Sequence, residues 1–262
     1  MKEFLAEILG KKGIDFYGFC SFSSLEDCLF ECRAKSRLPE NSNTVITILF
    51  PYKVKEKNPE NISRYAAVDD YHFVAGKILE EITFLLREKY KENSFEWFID
   101  NSPINEVKAG VLSGLGVKGK NNLLINKKYG SFCFIGEIVT DYKLQIVNNL
   151  NTECINCGRC LDVCPTGFLK DKTKKCLSQI TQQKAELNNE EKALIREKGV
   201  IWGCDICQDI CPMNKNSSLT NIKEFIATYK EKYEENEYIK NRAYAWRGEK
   251  VIKRNFEILN KK

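Results

Sequence analysis

Apolar residues recur at two different periods along the first half of the chain, and the switches between them outline a domain. Phe4, Leu5, Ile8 and Leu9 form a short helical stripe that Gly10 and Gly13 can end. Residues 14–20 and 44–50 read instead as strands, the second closed by Pro51. Residues 71–90 predict the longest helix, with Val74, Ile78, Ile82, Leu85 and Leu86 on one face. Residues 94–99 predict a strand, followed by a helix with Ser102 as cap and Pro103 at its first position. Two more strands follow at 122–126 and 131–139. Strand–helix alternation of this kind predicts an α/β (α+β) domain over residues 1–148.

Past that point the pattern gives way to cysteine-rich turns and short helices over 149–220, including an acidic–basic helix at 188–198. Residues 223–238, mostly Lys, Glu, Asn and Tyr, read as a solvated surface helix. They lie within a final segment, 221–262, expected to be helical, basic and packed on the core. With 262 residues, 43% of them hydrophobic and 11% aromatic, the chain can bury a core and is not a disordered one. No run approaches the roughly 18 apolar residues of a membrane span. Acids at Glu3 and Glu7 interrupt the start where an export signal needs an apolar run. The expectation is a soluble, cytoplasmic, monomeric protein without a membrane partner. Net charge is +5, yet residues 239–262 alone carry +6, leaving the rest at −1. A basic end on a near-neutral body suits a polyanionic partner or a solvated helix face, and charge alone does not separate the two.

Twelve cysteines in an unexported protein point to metal ligands or free thiols before disulfides. Cys154, Cys157, Cys160 and Cys164-Pro165 have the CxxCxxCxxxCP spacing of a bacterial 4Fe–4S ferredoxin, in which the fourth cysteine reaches the neighbouring cluster. Cys204, Cys207 and Cys211-Pro212 repeat its last three members, and Cys176 between the groups supplies the missing ligand. The crossover rule then assigns Cys154, Cys157, Cys160 and Cys211 to one cluster and Cys164, Cys176, Cys204 and Cys207 to the other. Zinc sites are the competing reading, but zinc ribbons use two separated CxxC pairs. Cys20, Cys28, Cys32 and Cys133 read as free thiols in apolar or mixed surroundings. No dinucleotide or P-loop fingerprint marks an electron acceptor, and the single histidine, His72, excludes a His-rich metal site.

Several stretches together resemble the epoxyqueuosine reductases, cobalamin- and iron–sulfur-dependent tRNA-modifying enzymes. They are Arg64-Tyr65-Ala66, Asp70-Tyr71-His72, Asp100-Asn-Ser-Pro103, residues 114–121, residues 130–137, Thr140-Asp141, the cysteine segments with Cys176-Leu-Ser178, Trp246-Arg247-Gly248 and Lys253-Arg254-Asn255. The resemblance implies reduction of the epoxide of epoxyqueuosine at the tRNA wobble position, with electrons passing from a ferredoxin- or flavodoxin-type donor through two 4Fe–4S clusters to cobalamin. It makes Asp100 the acid that protonates the departing oxygen, with a pKa expected to be raised by burial beneath the corrin. It makes Arg64, Tyr65, Gly116, Gly119, Lys120, Asn121, Glu137 and Ser178 cofactor contacts, and leaves His72 to packing or hydrogen bonding. Arg247, Lys250, Lys253 and Arg254 would meet tRNA phosphates, with Trp246 either stacking on a base or cofactor or anchoring the last helix. Many members continue into a helical-repeat domain where this chain ends, so a short form is expected. The alternatives are a cobalamin-dependent reductase of small molecules, like the reductive dehalogenases, and a non-catalytic electron carrier.

Overall fold

The computed structural model describes residues 1–146 and 153–261; the expected domain boundary at 148/149 lies outside the described residues. Strands β1 (Tyr17–Ser21), β2 (Thr44–Pro51), β3 (Phe95–Ile99) and β6 (Cys133–Thr140) form one sheet in the order β1-β2-β6-β3. Every pairing in it is antiparallel, with Thr47 opposite Glu137 and Glu137 opposite Phe98. A two-stranded hairpin, β4 (Val117–Lys118) and β5 (Leu124–Ile125), stands apart. The domain is thus mixed α/β in content, with its strands joined in the antiparallel manner.

All eight residues of β2 are buried because both faces of the sheet are covered. Ile46, Ile48, Phe50 and Ile138 face helices α1 (Lys2–Lys11) and α2 (Tyr71–Lys89) in the main core. Val45, Val139 and Phe98 point the other way, toward Ile104 and Ala109 of the segment carrying α3 (Glu106–Leu112). Helix α2 buries Ile78, Ile82 and Leu86 of the predicted stripe, but Leu85 is exposed because the inward face runs through Ala75, Leu79 and Thr83; Asp70 caps it, its side chain accepting from the His72 N–H.

The third helix starts later than the sequence suggests. Ser102 spends its hydroxyl accepting from Ile104 N–H at 3.1 Å, so the chain turns there, and Asn105 becomes the cap by accepting from Lys108 N–H at 3.1 Å. The run 223–238 is another correction. Only Lys223–Thr228 is helical (α8), and Tyr233 is buried against Tyr244 and Phe256 at ring-centroid distances of 5.8 and 5.3 Å.

The cysteine-rich half contributes α4 (Arg159–Asp162), α5 (Leu177–Gln182), α6 (Asn189–Lys198) and α7 (Ile206–Asp209), and α9 (Glu249–Asn260) ends the chain. A second core ties these to the first domain: Ile62, Ala66 and Ala67 pack with Leu177, Trp202, Tyr244, Val251 and Ile252. Backbone bonds close the seam, Ser63 N–H to Trp202 O at 2.8 Å and Ile201 N–H to Asn61 O at 2.7 Å. Among the described residues no helix is long and apolar enough to cross a membrane.

Candidate active site

Where the sheet domain meets the cysteine-rich half, a cleft opens around Phe134 of β6. Its widest lobe, about 570 Å³, is bordered by Tyr65, Tyr71, His72, Asp100, Ser178 and Trp246. A second lobe of about 320 Å³ shares Tyr65, Phe134 and Ser178 and ends at Cys164, Cys176, Cys204 and Cys207. A third, about 150 Å³, runs beneath Asp100 and Tyr71 to Glu106 and Cys133. Aromatic packing fixes the walls. Tyr71 stacks on Phe134 with centroids 4.2 Å apart and 14° between planes, and His72 stacks on the same tyrosine at 4.2 Å.

Asp100 closes β3 with φ +56°, in the left-handed region that an aspartate enters at some cost. That turn aims its carboxylate across the cleft, where Oδ2 meets His72 Nε2 at 3.3 Å. The other imidazole nitrogen, Nδ1, lies 2.7 Å from Asp70 Oδ1. Hydrogen bonds from Asp100 and then Asp70 push the His72 pKa up to about 9. The same bond from His72 holds Asp100 below the usual carboxylate range, against the opposing effect of burial. The expected raised pKa of Asp100 is therefore corrected. Its side chain is 62% exposed and paired with a cation, so at neutral pH the proton of this pair sits on the imidazole. His72 is a hydrogen-bonding residue, and its place in the pair is more central than the sequence could indicate.

The structure brings the cysteines together in two groups. Cys164, Cys176, Cys204 and Cys207 ring the inner end of the cleft. Cys154, Cys157, Cys160 and Cys211 ring a smaller hollow beside Lys120 and Asn121, with Cys157 exposed. These are the two sets of four that the crossover spacing gives. Among the described residues no three His, Cys, Asp or Glu side chains converge on one point as a single metal ion requires. A cluster several atoms across instead needs ligands spaced around a cavity. Burial, then the neighbouring thiols, pushes Cys204 and Cys207 up to about 12, so this crowded donor set needs positive metal charge to ionise.

A family model described as a 4Fe-4S double cluster binding domain matches residues 153–214, and one described as epoxyqueuosine reductase QueG matches residues 33–101. The chain is 32% identical over 241 residues to the epoxyqueuosine reductase of Lactococcus garvieae, covering 82% of this chain and 68% of that protein. The chain belongs to the epoxyqueuosine reductase family. It is also 36% identical over 201 residues to the family member from Cyclobacterium marinum, covering 72% of this chain but only 64% of that protein. The chain thus spans a little under two thirds of some curated relatives. A solved epoxyqueuosine reductase, in complex with an epoxyqueuosine-modified tRNA stem loop, shares the fold with TM-score 0.80 at 23% identity, covering 98% of this chain and 80% of that one.

For a corrin, the test is whether the cleft can hold a flat, largely apolar macrocycle. Tyr65, Tyr71, Phe134 and Leu123 supply such walls, and the buried Asn121 amide nitrogen has no protein partner beside them. These residues fit the group. Other family positions sit elsewhere. Arg64 is buried in an ion cluster with Asp209 and Asp205, lies over the Phe132 ring and borders none of the lobes, so its guanidinium welds the two halves. Gly116 and Gly119 do not line the cleft. A Cβ on Gly116 would come within 2.4 Å of Ile125 O, and one on Gly119 within 2.4 Å of Asn121 Oδ1, so the β4–β5 hairpin itself requires them. Glu137 is fully buried in the sheet behind the third lobe. Lys120 stands by the outer cysteine group, and Tyr65 and Ser178 line the cleft.

The basic end divides likewise. Arg254 donates to Ala185 O at 2.8 Å and Gln183 O at 3.0 Å, and the buried Arg242 donates to Ala67 O and Thr228 O. Both forks are occupied by carbonyls, so the expected phosphate contact of Arg254 is corrected to an internal strut. Lys253 pairs with Glu249 at 2.8 Å, Arg247 lies over Trp246 at 3.6 Å, and Lys250 is exposed. Trp246, 56% exposed, borders the cleft mouth with Phe73, 60% exposed, and is therefore not a core anchor.

Proposed function

We propose that this protein reduces epoxyqueuosine to queuosine at the wobble position of tRNA. The reaction takes two electrons and two protons, breaks two C–O bonds, forms the alkene and releases water. One observation carries the reading: the Asp100–His72 pair and the inner cysteine group border one cleft from opposite ends. A proton source and an electron source thus face the same space.

When bound in the cleft, cobalamin supplies strongly nucleophilic low-valent cobalt; Tyr65, Tyr71, Phe134, Leu123, Asn121 and Ser178 would hold it. Asp100 delivers a proton to the departing oxygen, because an alkoxide leaves poorly at neutral pH. His72 keeps that proton available, and the Tyr71 ring beneath it fixes the imidazole plane. Asp70 holds the other nitrogen and so sets which edge faces Asp100. The aromatic walls exclude water from the path.

Electrons from a low-potential ferredoxin- or flavodoxin-type protein would enter at the outer cysteine group, where Cys157 and Ile155 are exposed, and pass inward. Exposed Trp246 and Phe73 offer stacking faces for unpaired bases, with Arg247, Lys250 and Lys253 toward phosphates. The protein would act as a monomer in the cytoplasm. The test is metal analysis of anaerobically prepared protein given cobalamin, followed by nucleoside analysis of epoxyqueuosine-containing tRNA. About eight irons and one cobalt per chain with conversion to queuosine are expected. Eight irons with no cobalt retained and no conversion would overturn the reading in favour of an electron carrier.

A further inference from the structure

Behind Asp100 stand two carboxyls that the proposed chemistry has not used, half-buried Glu106 at the start of α3 and fully buried Glu137 on β6. The Asp100 backbone N–H donates to Glu106 Oε1 at 3.1 Å, which holds the Glu106 carboxyl in the lobe beneath Asp100 and Tyr71. Deeper in, Glu137 is fully buried on β6, where its carboxyl oxygens meet no cation and only the Ser102 hydroxyl stands near them. The groups facing this pair are Asp100, His72 and Tyr71 from the cleft, Cys133 across the lobe, and Cys20 from β1 beyond Glu137. Lys108, two residues on from Glu106, points away to Asp27 and Cys28. Among the described residues the one cation facing the pair is His72, already shared by two aspartates. An isolated carboxylate at such depth costs several kcal/mol, and two side by side cannot both ionise. Burial, then the Asp100 charge, raises the Glu106 pKa to about 8, and burial with Glu106 raises Glu137 as well. Both therefore hold their protons at neutral pH.

We propose that Glu106, backed by Glu137, is the proton reserve of this site. Resting on the epoxide-reduction reading, it accounts for the second of the two protons. Once the His72–Asp100 pair has released its proton, the O–H bond of Glu106 breaks and an N–H bond forms on His72 by way of the Asp100 carboxylate, leaving the negative charge on Glu106 until solvent restores it. Glu106 acts through Asp100 and is a positioning residue.

The chain's single histidine makes the test direct, since its imidazole NMR signal needs no assignment. In the cluster-loaded protein without cobalamin or tRNA, the His72 shift should show a second inflection near pH 8 as Glu106 ionises. Glu106→Gln should remove that inflection, and Glu106→Asp should keep one. Multiple-turnover reduction should fall about tenfold or more in Glu106→Gln, and Glu106→Asp should recover part of it. A single-step His72 titration, identical in wild type and Glu106→Gln, overturns the reserve. So does one shared pH–rate profile for the two active proteins. If wild type converts no tRNA, the activity reading fails, and the inflection alone decides the reserve. If Glu106→Gln loses its iron, the second inflection in wild type and in Glu106→Asp decides the reserve.

Discussion

Asp100→Asn separates the chemistry of the cleft from its architecture. Asn is among the non-glycine residues most at ease in the left-handed region, so the turn at φ +56° should survive the change. The side chain is largely exposed, and its partners are His72 and the hydroxyl of Tyr71, so little packing is lost. What disappears is the negative charge and the carboxylate that relays the His72 proton to the departing oxygen. Loss of a general acid lowers rates about 10²–10⁴-fold, which corresponds to a barrier about 3 to 5 kcal/mol higher. His72 should register the change independently. Asp100 is the larger of the two hydrogen-bonding causes that lift it to about 9, so its pKa should drop by roughly one unit or more. The assay is single-turnover conversion of epoxyqueuosine-containing tRNA, with iron content and the His72 titration measured on the same preparation. Activity within about threefold of wild type, with iron intact, would refute the role of Asp100. An unmoved His72 titration would refute the pair itself.

Other consequences follow from the same geometry. Because the folded pKa of His72 is raised, its contribution to stability is complete below about pH 6.5 and is lost as pH rises through about 9. His72 is 41% exposed, so solvent screening leaves on the order of 1 kcal/mol, visible as a falling melting temperature between those limits and absent in His72→Gln. Gly203→Ala should destabilise the fold by about 2 kcal/mol or more: its φ is +75°, and the new Cβ would meet Ser63 Oγ at 2.0 Å and Tyr65 Cε1 at 2.9 Å. A melting temperature equal to wild type would refute the tight seam. Cys176→Ser should leave about four irons per chain instead of about eight; retention of the full complement would remove Cys176 from the ligand set. Lys250→Ala should reduce the salt slope of RNA binding by about 1 with unchanged melting. Arg254→Ala should do the reverse, because its fork is bonded to the carbonyls of Gln183 and Ala185.

What could be read in the chain alone was whatever depends on short spacing. Cysteines three and four positions apart need no fold to be paired on paper, and the α2 stripe shows its period because one face meets a core. Local turn chemistry was harder: Ser102-Pro103 has the look of a helix start, yet the hydroxyl went to the nearer Ile104 amide. Residues 223–238 look solvated by composition, but Tyr233 turns inward because Asn61, far away in sequence, takes both its amide and its carbonyl. The same distance hid the meaning of charge. Arg64, Arg242 and Arg254 read as available cations and are consumed by partners 14 to 175 residues away. Asp100 could be singled out, but its protonation could not, since that depends on a histidine 28 residues earlier brought within 3.3 Å. Glu106 carried no sequence signal, and Glu137 stood out only as a cofactor contact implied by the resemblance, because a carboxyl's pKa is set by the water it has lost. Sequence spacing determined the two cysteine sets suited to iron–sulfur clusters; only the packing of β3, β6 and α2 decided where the protons reside, since burial and through-space charge exist only once the sheet has closed.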